Sequence, residues 1–146
     1  MKFQYLVCAA IAAVFLSGCA TPPKNYSVNN SRSYSQSYDK VWENIVGYLA
    51  QNQIQIKNIA KDSGVIYAEA VKFDNAVADC GNPGAFSISG RRANFNIFVN
   101  RSGKDPIVSV NTEFNEMRRN LSGDPSSVAC NSKGVLEDRI LSAAAL

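Results

Sequence analysis

The chemistry open to this 146-residue chain is limited first by a residue it lacks: there is no histidine. The commonest general base and metal ligand is therefore missing, which excludes Ser-His-Asp, Cys-His and HExxH arrangements. A carboxylate pair of the glycosidase kind would have to come from Asp62, Glu69, Asp74, Asp79, Glu113 and Glu116. These residues fall in turns or on the solvated positions of strands, and no spacing brings two together. GxSxG, P-loop and strand-to-helix GxGxxG motifs are absent as well, so no catalytic residue and no enzyme is expected. Isolated cysteines without CxxC or histidine do not make a zinc tetrad, and neither metal nor cofactor is expected. The basic clusters Ser89-Gly90-Arg91-Arg92 and Arg118-Arg119 suit acidic headgroups or glycans, but read more simply as solvated sheet ends. A formal net charge of +3 is too small to imply a nucleic-acid partner.

Four cysteines remain: Cys8, Cys19, Cys80 and Cys130. The first two belong to a distinctive N-terminus. Lys2 precedes an apolar run from Phe3 to Leu16 broken only by Gln4, then come the small residues Ser17 and Gly18 before Cys19. This is the plan of a secretory signal, and the run is shorter than the roughly 20 residues a permanent membrane span needs. Leu16-Ser17-Gly18-Cys19 resembles the lipobox of bacterial lipoproteins. The resemblance implies cleavage before Cys19, a diacylglycerol on its thiol and an acylated, palmitate-type amino terminus. Several chains on one residue make a lasting anchor, where one alone is marginal. Ala20, not Asp, follows the cysteine, and in that family the absence of Asp goes with transfer to the outer membrane. The expected location is therefore an outer-membrane anchor with the domain facing the periplasm; inner membrane and cell surface are the alternatives.

On that reading Cys8 leaves with the signal and Cys19 carries lipid. Cys80 and Cys130 are then two thiols in an oxidising compartment, and a disulfide between them is expected. Closing a loop of 50 residues would stabilise by roughly 4 kcal/mol in the chain-entropy picture. Loss of Lys2 with the signal lowers the formal charge from +3 to +2.

The organisation expected is a signal over residues 1–18, a lipidated N-terminus and flexible Pro/Ser/Asn-rich tether over 19–33, and one domain over 34–146. From Arg32 to Tyr38 polar residues alternate with Tyr34, Gln36 and Tyr38, which suggests a first strand. Asp39 opens a helix to about Asn52, whose stripe Val41, Trp42, Ile45, Val46 and Leu49 makes Trp42 a core anchor. A hairpin follows, with Ile54, Ile56 and Ile59 in one strand, Lys61-Asp62-Ser63-Gly64 in the turn and Val65–Phe73 in the other. Residues 74–84 read as loop. Arg91–Asn100 and Ile107–Arg118 each alternate one apolar with one polar face, the mark of an antiparallel sheet covered on one side. The outward positions include a row of Asn94, Asn96, Asn111 and Asn115. After a polar loop, Ser132 caps a last helix carrying Val135, Leu136, Ile140, Leu141 and Ala144. The fold expected is α+β: a four- to five-stranded antiparallel sheet with two helices packed on one face, in the order β-α-β-β-β-β-α.

Tyr38-Asp39-Lys40-Val41-Trp42, Leu49, Ile54-Gln55-Ile56 and Asp62-Ser63-Gly64-Val65-Ile66 resemble a pattern of small envelope lipoproteins, a Trp-bearing helix leading into a strand, a Ser-Gly turn and a second strand. The third lipoprotein of the outer-membrane β-barrel assembly machine has domains of this helix-grip kind. Cys130-Asn131-Ser132-Lys133-Gly134-Val135-Leu136-Glu137 is similar to the Cys-x-Ser-x-Gly-x-x-Glu ending of proteobacterial lipoproteins. The resemblance implies a fold and a setting, and no catalytic residues. The function expected is a non-enzymatic binding or assembly module of the cell envelope, membrane-held by its lipid, meeting an envelope protein at a sheet edge or beside Tyr67 and Phe98. The alternative is a lipoprotein holding a lipid or hydrophobic small molecule between helix and sheet.

Overall fold

The computed structural model describes residues 19–101 and 103–146; residues 1–18, expected to be a signal and holding Cys8, lie outside them. The elements are β1 (Ser31–Ser33), α1 (Tyr38–Gln51), β2 (Ile56–Ala60), β3 (Val65–Val71), β4 (Ala78–Asp79), β5 (Ser87–Asn100), β6 (Ile107–Arg119), β7 (Pro125–Ser132) and α2 (Val135–Ala143). Among the described residues seven strands, not four or five, form one open antiparallel sheet in the order β2-β3-β5-β6-β7-β4, with β1 beside β6. The class is α+β as expected.

The longest ladder joins β5 to β6, running from Ser87↔Arg119 to Asn100↔Ile107 around one irregularity. Side chains alternate across a strand, so cross-strand partners share a face. Ile66, Ile97 and Val110 lie in one such row, and Ala68, Phe95 and Thr112 in the next. These rows face both helices, and Val41, Trp42, Ile45 and Leu49 of α1 and Leu136, Ile140 and Leu141 of α2 join them in a single core cluster. Trp42 is only 5% exposed, as the stripe requires. The helix begins one residue early, because Ser37 Oγ, not Asp39, accepts the first-turn N–H of Lys40. In the β2–β3 turn Gly64 has φ +70°, and a Cβ there would meet the Val99 carbonyl at 2.1 Å. Only glycine fits that approach.

The strands missing from the sequence reading are short or polar. β4 has two residues, too few to show a period, and the first strand, expected over Arg32–Tyr38, is Ser31–Ser33, because Ser37 caps a helix that already includes Tyr38. β7 is Pro-Ser-Ser-Val-Ala-Cys-Asn-Ser and buries only Cys130, so it carries no apolar alternation. The last helix starts at Val135 with Gly134 as N-cap, and Ser132 Oγ accepts the Gly134 N–H instead of capping the helix. Ile56 and Ile59 lie in β2 as expected, Ile54 precedes it, and Ile59 on this edge strand is 47% exposed.

The most consequential difference is at the N-terminus. Thr21 and Asn82 exchange backbone hydrogen bonds at 3.2 and 3.0 Å, and Lys24 N–H and Tyr26 Oη both donate to Asp79. Asn131 Nδ2 donates to the Lys24 carbonyl, Asn30 Nδ2 donates to Asn111, and β1 pairs with the start of β6. The polar stretch expected to be a tether is thus a strap laid along the domain from Thr21 onward. Its polar groups hydrogen-bond the domain while most of its residues stay exposed. Trp42→Ala should cost about 3–5 kcal/mol of unfolding free energy in a denaturant titration; a loss under about 1 kcal/mol would show that the tryptophan is not the anchor of the core.

Candidate functional site

The sheet has two faces of different fate. Both helices cover one; the other carries the alternate side chains of β3, β5 and β6, in cross-strand rows Val65–Phe98–Ser109 and Tyr67–Asn96–Asn111. Tyr67 and Phe98 are therefore diagonal neighbours on the uncovered face, within reach of each other for side chains of this size. Phe98 is 42% exposed and Tyr67 half-buried, and neither lies beneath a helix. Exposed Ile107 stands at the same end of the sheet, opposite Asn100. The asparagine row lies on this face, with Asn30 Nδ2 bonded to Asn111 Oδ1 and Asn115 Nδ2 to Glu113. The result is an aromatic corner beside a belt of amides.

At the opposite end of the sheet the covered face turns ionic. Glu116 follows Phe114 by two residues and is fully buried, with Arg91 directly across the ladder. Arg91 Nε and Arg118 Nε each donate to one of its carboxylate oxygens at 2.7 Å, and Arg118 Nη2 donates to the Cys80 carbonyl at 2.6 Å. Two of the arginines expected on solvated sheet ends are thus committed to a buried carboxylate. Arg92 and Arg119 remain exposed. Charge-assisted bonds from two guanidinia offset part of the cost of burying Glu116. The signal was available in the phase: Glu116 and Arg118 share the parity of Phe114, though a charge in that position reads as a strand end.

The arginine contact leads directly to the Cys80–Cys130 disulfide, which is present and joins the β4 loop to β7. Beside it, Gly81 passes so close to the strap that a Cβ would meet the Thr21 carbonyl at 2.0 Å. Asp79 has a depressed pKa, first because it accepts the Gly81 N–H, and further because of the Tyr26 hydroxyl, the Lys24 N–H and the Lys133 charge. Tyr26 is correspondingly raised, chiefly by its bond to Asp79. Cys19 is exposed, two residues ahead of this clasp.

The remaining carboxylates do not converge. Asp74 Oδ1 accepts the Ala76 N–H and Glu113 serves Asn115. Glu69 lines a hollow of about 560 Å³ at the β2–β3 edge with Lys72, Arg92 and Val71. Glu137, the glutamate of the Cys-x-Ser-x-Gly-x-x-Glu ending, is buried in the first turn of α2 and accepts the Thr112 hydroxyl at 2.5 Å. No cluster of three or more His, Cys, Asp or Glu able to hold a metal occurs among the described residues. Among them, too, no helix is long and apolar enough to cross a membrane. Against known protein families and curated proteins, the chain matches no family model and no curated protein.

Two outcomes follow from this geometry. Glu116→Ala leaves Arg118 buried without its counter-charge and should lower stability by about 3–5 kcal/mol in urea unfolding; a surface-like loss below about 1 kcal/mol would contradict the buried pair. Because Asp79 is depressed in the folded state, its contribution to strap docking is present above the ordinary carboxylate pKa and lost as pH falls through the lowered one. Amide protection factors of residues 21–26 should therefore fall on acidification, and Asp79→Asn should flatten that dependence; protection unchanged by acid would rule out the coupling.

Proposed function

We propose that this protein is a lipid-anchored module of the bacterial cell envelope, held through Cys19, which binds an envelope protein through the uncovered face of its sheet. The observation that carries the reading is the Tyr67–Phe98 corner. Two aromatics stand outward on the face that no helix covers, and Ile107 adds apolar surface at the same end. Large exposed aromatic and aliphatic groups beside hydrogen-bonding amides are the composition of a protein-recognition patch. The dispersed carboxylates, each occupied by a neighbour or left singly in a hollow, favour binding over catalysis. Holding an apolar ligand between helix and sheet is disfavoured, because Trp42, Ile45, Leu49, Phe95 and Ile97 occupy that space themselves. The lipobox at residues 16–19, with Cys19 exposed, supports anchoring to the outer membrane with the domain in the periplasm.

Cys19→Ala should abolish acylation and release the protein from the membrane fraction; full membrane retention of that variant would refute the anchor. Photo-crosslinking residues placed at Tyr67 and Phe98 in intact cells should capture the same envelope protein, whereas one at Glu43, on the helical side, should not. Identical capture patterns at all three positions would refute the partner face.

A further inference from the structure

We propose that the end of the sheet where β5 begins faces the bilayer, with Leu121 seated in the interfacial layer of the membrane that holds Cys19. This rests on the lipid-anchor reading above and adds an orientation to it. The first argument is reach. From Cys19 to Thr21 the chain can span at most about 7 Å, and Thr21 is pinned by its paired hydrogen bonds to Asn82. A free tether of residues 20–33 would span on the order of 45 Å and leave the domain to tumble. The docked strap removes that freedom.

Topology then decides which end comes down. Asp79 pairs with Asn131 and Cys80 is bonded to Cys130, which itself lies opposite Phe114. Antiparallel to β7, the chain beyond Cys80 carries Asn82, and with it Thr21, toward the end where Ser87 pairs with Arg119 and β6 turns into β7. Cys19 therefore lies at the ionic end of the sheet, and the Phe98–Ile107 corner lies at the far end.

That end is also where apolar side chains point into solvent. Leu121, at the β6–β7 turn, is 92% exposed, and Phe86, Ile88 and Met117 are exposed around the start of β5 and the end of β6. The turn presenting Leu121 is internally bonded. Asn120 N–H donates to the Asp124 carbonyl, Gly123 N–H to the Asn120 carbonyl, Asp124 N–H to Asn120 Oδ1 and Asn120 Nδ2 to Asp124 Oδ2. Bonds that hold Asn120, Gly123 and Asp124 together present the Leu121 side chain outward on an ordered turn, and an apolar side chain so presented suits the boundary between headgroups and acyl chains. Exposed Arg119, two residues before Leu121, suits the anionic lipid surface.

The test uses acylated full-length protein on phosphatidylethanolamine–phosphatidylglycerol vesicles with bromine on the upper acyl chains. Trp42, buried in the core, is a constant background in every variant. Leu121→Trp should show a blue-shifted, roughly twofold-quenched added emission, because an interfacial residue sits about 5–10 Å into the boundary. Ile59→Trp, exposed on the far edge strand, should be neither shifted nor quenched. Unquenched, water-exposed emission from Leu121→Trp on protein whose Cys19 peptide carries the acyl mass overturns this orientation alone. A Cys19 peptide without acyl mass overturns the anchor, and this proposal with it.

Discussion

The antiparallel ladder between β5 and β6 is the constraint on which everything else depends. Thirteen cross-strand pairs from Ser87↔Arg119 to Asn100↔Ile107 set which side chain faces which way over the full length of the domain. A slip of one residue would turn Phe95, Ile97, Val110 and Phe114 to solvent and bring the asparagines under the helices. With the register held, the two faces acquire opposite characters: one is closed by α1 and α2, the other stays open with Tyr67 and Phe98 on it.

The ladder outlasts its helical cover, and the chain handles the surplus with charge and covalent chemistry. Beyond Phe114 the covered face carries Glu116 and Arg118 instead of apolar groups, and the loop with Cys80 closes over them. The disulfide, the Arg118 bond to the Cys80 carbonyl and the strap at Gly81 and Asn82 lie within a few residues of one another. This makes one clasp out of three segments distant in sequence. Its counterpart at the other end is the aromatic corner, so the two ends of one sheet differ in character: a bridged ionic clasp at one, exposed Phe98 and Ile107 at the other.

Much of this was legible in the residues. The helical stripe through Trp42, the Ser-Gly turn, the alternation of the two long strands and the pairing of the last two cysteines each follow from a local period or from compartment chemistry. Tyr67 and Phe98 were legible as outward residues because parity alone places them. What escaped was short or polar. β4 is below the length at which a period exists, the alternation places the first strand a few residues late because β1 is only three residues long, and β7 lacks apolar alternation because only Cys130 is buried. The strap reads as a linker because its contacts are backbone and amide hydrogen bonds, which leave no hydrophobic signature.

The sequence by itself determined the class of fold, the core, the turn at Gly64, the absence of histidine chemistry and the identity of the two bridged cysteines. These rest on local periodicity, backbone conformation and composition, which need no knowledge of distant neighbours. Only the tertiary structure decided that Arg91 and Arg118 serve a buried Glu116, that residues 21–33 are docked, and that Cys19 and the Phe98 corner lie at opposite ends. Most of those contacts join segments far apart in the chain, from 25 residues for Arg91 and Glu116 to 107 for Lys24 and Asn131. Polar side chains carry no such addresses: an arginine looks the same in sequence whether it meets water or a carboxylate.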